Sequence, residues 1–314
     1  LAERFEIRQL DHDTPEGWIA LHLAVDAAAP SPPQQHASPV RDLLAHVARQ
    51  SLRLELLFGA YRAGRLVSAA AAVESPGASA MIFAPFEGLT PLREDAGVAV
   101  LERLKEAAWD RSIKLLQVLF KPEATALARL LDRAGFVYLT RLLYLQREAK
   151  GATPSGAICA DFTWLPFSKE HEDLFLTALS ASYVQSLDCP ELIGIRTPRE
   201  VLEGHRATGI HDPYLWWVAL RGAEVVGVLL LTRVAGQPWM EIVYIGVAAS
   251  ARGKGVSDAL LAKAFTLCGQ YSAKVMTLAV DRGNTPARRM YDRWGFVQTN
   301  TRDAWIATSK RGES

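Results

Sequence analysis

Shifted by 160 residues, the chain overlays on itself, and this self-similarity limits its fold more than any single motif does. Gly135-Phe136 falls on Gly295-Phe296, and the apolar run 115–120 falls on 275–280 without a gap. Earlier in each half, residues 60–67 match residues 219–226 at a shift of 159. Both segments are an apolar run, a turn containing glycine and a β-branched run, the pattern of a hairpin. Two copies of one α/β unit are the economical reading, and 314 residues suit two domains. The segment 148–156 is small, polar and Pro/Gly-bearing, so the expected domains are 1–148 and 155–314. A second irregular stretch, 27–39, carries four prolines and reads as a loop inside the first domain.

The halves share a framework but not their chemistry. In the second, residues 240–247 read as a strand and 258–267 as a helix, with Arg252-Gly253-Lys254-Gly255-Val256-Ser257 between them. A turn of small residues there leaves backbone N–H groups open at a helix N-terminus, where the helix dipole also favours an anion. Under the shift, Arg252-Gly253-Lys254-Gly255 lands on Leu92-Arg93-Glu94-Asp95, which puts two carboxylates where a phosphate would dock. Tyr291 lands on Leu131, Asn284 on Ala124 and Glu241 on Met81. The first half is therefore expected to be a platform without a phosphate site. In the second half, helices are expected over 169–183, 199–208, 257–267 and 286–294, and strands over 216–220, 225–232 and 241–247.

Arg252-x-x-Gly255-x-Ser257 resembles the Q/R-x-x-G-x-G/A loop of the GCN5-related N-acetyltransferases, the GNAT family, with serine in the last small position. The spacing Asn284-x-x-Ala287-x-x-x-Tyr291-x-x-x-Gly295-Phe296 is similar to that family's later motif. Glu241-Ile242-Val243-Tyr244 resembles the strand of its histone acetyltransferase branch that carries a glutamate base. The resemblance implies an α/β (α+β) protein of two tandem GNAT folds, each a mixed, mostly antiparallel sheet flanked by helices. It implies acetyl transfer from acetyl-CoA to an amine in a ternary complex, performed by the C-terminal domain. Glu241 would then serve as general base and Tyr291 as general acid. Ile245, Gly246 and Val247, on a strand that splays from its neighbour, would hold the pantetheine arm and the thioester carbonyl. Arg252, Gly253, Lys254, Gly255, Val256 and Ser257 would hold the diphosphate, and Asn284 would bond the pantetheine. Gly246 inside a strand also reads as a bulge or as a close backbone approach.

A carboxylate in an apolar strand gains basicity by desolvation, which suits Glu241, and a phenol stays protonated at neutral pH, which suits Tyr291. Between the first helix of the second half and its central strands lie Tyr183, Asp188, Glu191 and Arg196. Asp188 or Glu191 could face an acceptor amine, and Arg196 a carboxylate. Tyr183, Asp188 and Arg196 are the substrate-binding candidates.

The net charge of +1 gives no support to a nucleic-acid or membrane partner, although residues from Arg252 onward hold eleven Lys or Arg against five Asp or Glu. Cys159, Cys189 and Cys268 form neither a disulfide framework nor a zinc pattern, so no metal is expected. No apolar run approaches about 18 residues, and the first residues lack a signal-peptide pattern, which leads to the expectation of a cytoplasmic protein. The partner is expected to be a small-molecule or peptide amine, with room left for a homodimer. A non-catalytic acyl-CoA-binding or regulatory protein is the alternative.

Overall fold

The computed structural model describes residues 5–25, 39–85, 90–150 and 162–309. Most of the 148–156 linker, almost all of the 27–39 loop and Cys159 lie outside the described residues. Two compact units are present. One comprises the residues up to Leu139 together with those from Arg302 onward; the other is Thr140–Thr301.

The first unit contains β1 (Glu6–Gln9), α1 (Pro15–Val25), α2 (Pro39–Arg49), β2 (Arg53–Arg62), β3 (Arg65–Ser75) and β4 (Ser79–Phe83). It continues through α3 (Pro91–Asp110), β5 (Leu115–Phe120) and α4 (Thr125–Arg133) to the start of β6 (Val137–Glu148). Strands β1 to β4 pair antiparallel in sequence order, and β4 pairs parallel with β5. Leu56, Phe58, Ala70 and Ile82 pack with Leu101, Leu104, Leu130 and Phe136 in one core, while Leu57, Ala69 and Ala71 face α1 and α2 in another.

The second unit holds β7 (Thr163–Pro166), α5 (Glu172–Tyr183), α6 (Pro198–Arg206), β8 (Trp216–Arg221), β9 (Glu224–Arg233) and β10 (Trp239–Val247). It closes with α7 (Val256–Gln270), β11 (Val275–Asp281), α8 (Thr285–Arg293) and the start of β12 (Val297–Thr308). Strands β7, β8, β9 and β10 pair antiparallel, and β10 pairs parallel with β11. The interior run of β9 is buried throughout, as a central strand covered on both faces requires. Leu202, Trp216, Leu230, Leu260 and Trp294 belong to the unit's single core. Helix α6 starts where Thr197-Pro198-Arg199-Glu200 builds a capping box: Glu200 N–H donates to Thr197 Oγ at 3.2 Å, and Thr197 N–H donates back to Glu200 Oε2 at 2.8 Å.

The repeat is carried by these elements. Helices α4 and α8 correspond at both ends at a shift of 160, as do strands β6 and β12. The compact units differ from the sequential blocks 1–148 and 155–314, because the two sequence halves exchange their last strands. Residues 142–148 of β6 pair with β11 of the second unit, and residues 303–308 of β12 pair with β5 of the first. Among the described residues, no helix is long and apolar enough to cross a membrane.

Strand β10 is irregular in a way that positions the site. Ile242 pairs with Leu231 and Tyr244 with Leu230, so Val243 is an extra residue, a bulge. Met240 approaches Cys268 of α7, with 3.8 Å between the sulfurs, and alternation sends Glu241 to the opposite face. The bulge resets that alternation and brings Tyr244 and Gly246 onto the α5 face as well. There Ser182 donates its hydroxyl proton to Leu179 O, which leaves the Tyr244 hydroxyl to donate to Ser182 Oγ at 2.8 Å. Gly246 remains paired with Val228, so the bulge sits three residues before it. Its lack of a side chain serves close packing: a Cβ there would stand 2.7 Å from Ser182 Oγ and 2.7 Å from Tyr244 Cε1.

Two outcomes follow from this packing. Gly246→Ala should lower unfolding free energy by about 1–3 kcal/mol through overcrowding, read in urea melts, and Ser182→Gly in the same chain should recover part of the loss. A chain ending at Thr301 should lose hydrogen-exchange protection in 115–120, which pairs with 303–308, while 276–280 keeps its protection.

Candidate active site

Strands β10 and β11 pair only through Trp239–Val275, Met240–Met276, Glu241–Thr277 and Ile242–Leu278. Beyond that point β10 continues against β9 alone, so the edge of 243–247 that would meet β11 faces a gap. A cavity of about 460 Å³ occupies it. Its walls come from the loop after α5, from β10, from the α7 N-terminus, from β11 and from α8. Because the strand's backbone polar groups are obligatory hydrogen-bonding partners, this edge offers a ligand ready donors and acceptors.

The turn before α7 is shaped by two glycines in the left-handed region, Gly253 at φ 73° and Gly255 at φ 77°. A Cβ at either would meet nothing within 4 Å, so glycine is needed for backbone angle, not for space. Gly255 caps α7 without a side chain, and the first helical bond runs from Ala259 N–H to Gly255 O at 3.1 Å. The amides of Val256, Ser257 and Asp258 therefore have no acceptor within the helix. Residues of this kind fit a diphosphate.

Of the residues singled out from the sequence, Ile245, Gly246, Val247, Arg252, Gly253, Gly255, Val256, Ser257, Asn284, Tyr291 and Asp188 line the cavity. Lys254, Glu241, Tyr183 and Arg196 are not among its lining residues. Lys254 Nζ donates to Ser250 O at 2.8 Å. The Arg252 guanidinium spans to α5, donating to Ser182 O at 2.8 Å and Gln185 O at 3.0 Å. A cation at a helix C-terminus satisfies the last carbonyls and the negative dipole end, so that charge is engaged within the protein. Asn284 Oδ1 accepts from Ala287 N–H at 3.3 Å, which makes it the N-cap of α8, and its side chain also donates to the Asp188 carboxylate.

Tyr291 is buried in α8, and desolvation, with Asp188 nearby, pushes its phenol above the usual range. It therefore stays protonated at neutral pH. Glu241 is half-buried, and desolvation raises its carboxyl above the usual range. On the α5 face, Tyr183 is pushed up to about 12 by burial, while His205 is held down to about 4, first by burial and then by Arg196. The His205 ring lies 5.4 Å from that of Tyr244.

Three participants were not read from the sequence. Ser182 and Tyr244 line the cavity and bond to each other, and Asp281 holds the loop that carries Asp188. The position of Tyr244 depends on the bulge, for which Ile242-Val243-Tyr244 offers no local sign. An Asp281-x-Gly283 turn is a signal that could have found the third: Asp281 Oδ1 accepts from Gly283 N–H at 2.6 Å.

The corresponding place in the first unit is closed. Thr90 Oγ accepts from Arg93 N–H at 3.4 Å and caps α3. Arg133 bridges Glu94 at 2.9 Å and Asp95 at 2.7 Å. In the second unit Arg293 and Trp294 both donate to Asp258 instead, at 3.0 and 2.7 Å, which leaves the α7 N-terminus open.

The acetyltransferase (GNAT) family model matches residues 182–296. A mycothiol acetyltransferase of Brachybacterium faecium is 31% identical over 192 residues, covering 60% of this chain and 57% of that protein. The chain thus spans somewhat over half the length of the curated relative it matches. Among solved structures, a GCN5-related N-acetyltransferase from Sphaerobacter thermophilus superimposes with a TM-score of 0.64 at 19% identity, over 100% of this chain and 98% of that one. A tandem GNAT protein from the clavulanic acid biosynthesis pathway superimposes with a TM-score of 0.54 at 15% identity, over 98% and 100%. The splayed strand pair and the open helix end fall inside residues 182–296, the segment that matches the acetyltransferase (GNAT) family model, in a chain with the fold of tandem GNAT proteins.

Proposed function

We propose that the second unit transfers an acetyl group from acetyl-CoA to an amine by direct attack in a ternary complex. The observation that carries this reading is one cavity with an open helix N-terminus, an unpaired strand edge and a protonated phenol in its walls. Acetyl-CoA supplies the activated acyl carbon. The amides of Val256 and Ser257 bind its diphosphate, and the free edge of β10 around Ile245 and Val247 aligns the pantetheine. N–H groups along that edge stabilise the oxyanion formed on attack. Tyr291 protonates the departing sulfur. Glu241 lies outside the cavity wall, so it receives the amine proton through a bridging water, its basicity raised by desolvation.

The first unit is a non-catalytic platform in this reading, since its helix end is capped by Thr90 and its carboxylates are paired. Cys189 and Cys268 are free thiols, which supports a reducing compartment such as the cytoplasm. The similarity to the Brachybacterium faecium mycothiol acetyltransferase supports acetyl transfer over the matched residues. The acceptor is an amine on a small molecule or a peptide.

The deciding experiment is acetyl-CoA-dependent thiol release over a panel of primary amines, with calorimetry of acetyl-CoA binding beside it. Binding without turnover of any amine would favour a non-catalytic acyl-CoA-binding protein. Tyr291→Phe should lower kcat by roughly 10²-fold while the KM for acetyl-CoA stays within about twofold. Glu241→Gln should remove the acid limb of the pH–rate profile. A base acts only when ionised, so wild-type activity should fall as pH drops through the raised pKa of Glu241. A Gln variant that keeps that limb would exclude Glu241 as the base.

A further inference from the structure

The cavity contains a carboxylate that the reaction scheme leaves unused. Asp188 lies on the loop after α5 and lines the same walls as Tyr291 and Tyr244. It stays accessible from the cavity although the surrounding protein is deep enough to raise its pKa by desolvation. Its partners are two neutral donors: Asp281 N–H, 3.4 Å from Oδ1, and the Asn284 side chain. Neither is a cation. By contrast, the other carboxylate in the wall, Asp258, is bound by Arg293 and Trp294. Glu191, an equally suitable residue type, lies outside the cavity.

The protein also holds Asp188 firmly in place. Cys189 adopts a left-handed backbone, φ 45° and ψ 58°, a conformation costly for a non-glycine residue. That kink lets Cys189 N–H donate to Asp281 Oδ2 at 3.2 Å while Asp281 N–H reaches Asp188. Asp281 is fixed in turn by Thr140 Oγ at 2.8 Å. A carboxylate held this way beside an anionic coenzyme opposes that coenzyme, unless a positive charge joins them both. The acceptor of the proposed reaction is the species that brings one.

Resting on the acetyl-transfer reading, we propose that Asp188 is the receptor for the acceptor's ammonium group and restricts this enzyme to amines that are cationic at neutral pH. Aliphatic primary amines meet that condition; arylamines, neutral at pH 7, do not. The charged amine docks against Asp188, then yields a proton and attacks the thioester carbonyl, forming C–N; collapse of the oxyanion adduct then breaks C–S. One of its two lost protons leaves by way of Glu241. The other restores Tyr291 after the phenol has protonated the sulfur.

The test compares wild type with Asp188→Asn, which keeps an oxygen to accept from Asp281 N–H and removes the charge together with one acceptor facing Asn284. The probes are glucosamine, ethanolamine, lysine amide and spermidine as cationic amines, with aniline and 4-aminobenzamide as neutral ones. Turnover should be confined to the cationic group. Asp188→Asn should raise the KM of the best acceptor at least tenfold, with kcat changed less and the KM for acetyl-CoA unchanged or lower. Arylamine turnover matching that of the aliphatic amines would overturn the proposal. So would turnover confined to the arylamines, or an Asp188→Asn variant with unchanged acceptor KM. A loss shared by acceptor and acetyl-CoA, accompanied by a lower Tm, would mark Asp188 as a loop clasp only and would equally overturn it. Failure of acetyl-CoA to bind wild-type protein in calorimetry would instead remove the acetyl-transfer reading itself.

Discussion

Everything at the site depends on two parallel strands parting company. β10 and β11 hold each other through Ile242 and Leu278 and then diverge, leaving main-chain polar groups that water or a ligand must satisfy. The gap is kept open by elements fastened around it. Arg252, from the turn before α7, ties down the end of α5 through two carbonyls. On the opposite side, Asp281 and Asn284, from the turn before α8, hold the loop that follows α5. The loop is thus anchored from both sides of the split, and the cavity is a consequence of ordinary capping and turn bonds.

The two units show how little must change for one scaffold to have an open or a closed helix end. Each fastens its last helix to the one before by an arginine at the matching position, Arg133 or Arg293. In the first unit that arginine meets two carboxylates near a helix start already capped by threonine. In the second, glycine takes the cap position and the amides stay open. The difference is one of local hydrogen-bond satisfaction, while the apolar frame beneath is alike.

The frame was legible in the sequence because burial imposes periodicity. Helix α8, expected at 286–294, is Thr285–Arg293, and β9, expected at 225–232, is Glu224–Arg233. What could not be read is set by distant partners. A β-branched Val243 inside a strand gives no sign that it will bulge, so Gly246 suggested a bulge when its role is to admit Ser182. The charge of Arg252 pointed to phosphate, but helix carbonyls about seventy residues earlier in the chain compete for the same guanidinium. The exchange of β6 and β12 was invisible for a related reason: the two strands are equal in length and equivalent in the repeat, so local pattern does not tell which sheet each completes.

That exchange also orders events during synthesis. The strands of the second unit, from β6 through β11, all emerge from the ribosome before 302–309 does, whereas the first unit stays one strand short until that segment emerges. The half of the protein made earliest is therefore finished last, and its β5 edge stands bare while the other half closes. The second unit is one continuous stretch, Thr140–Thr301, whereas the first cannot be transplanted without the segment from Arg302 onward. Each half of the repeat thus supplies the strand that completes the other.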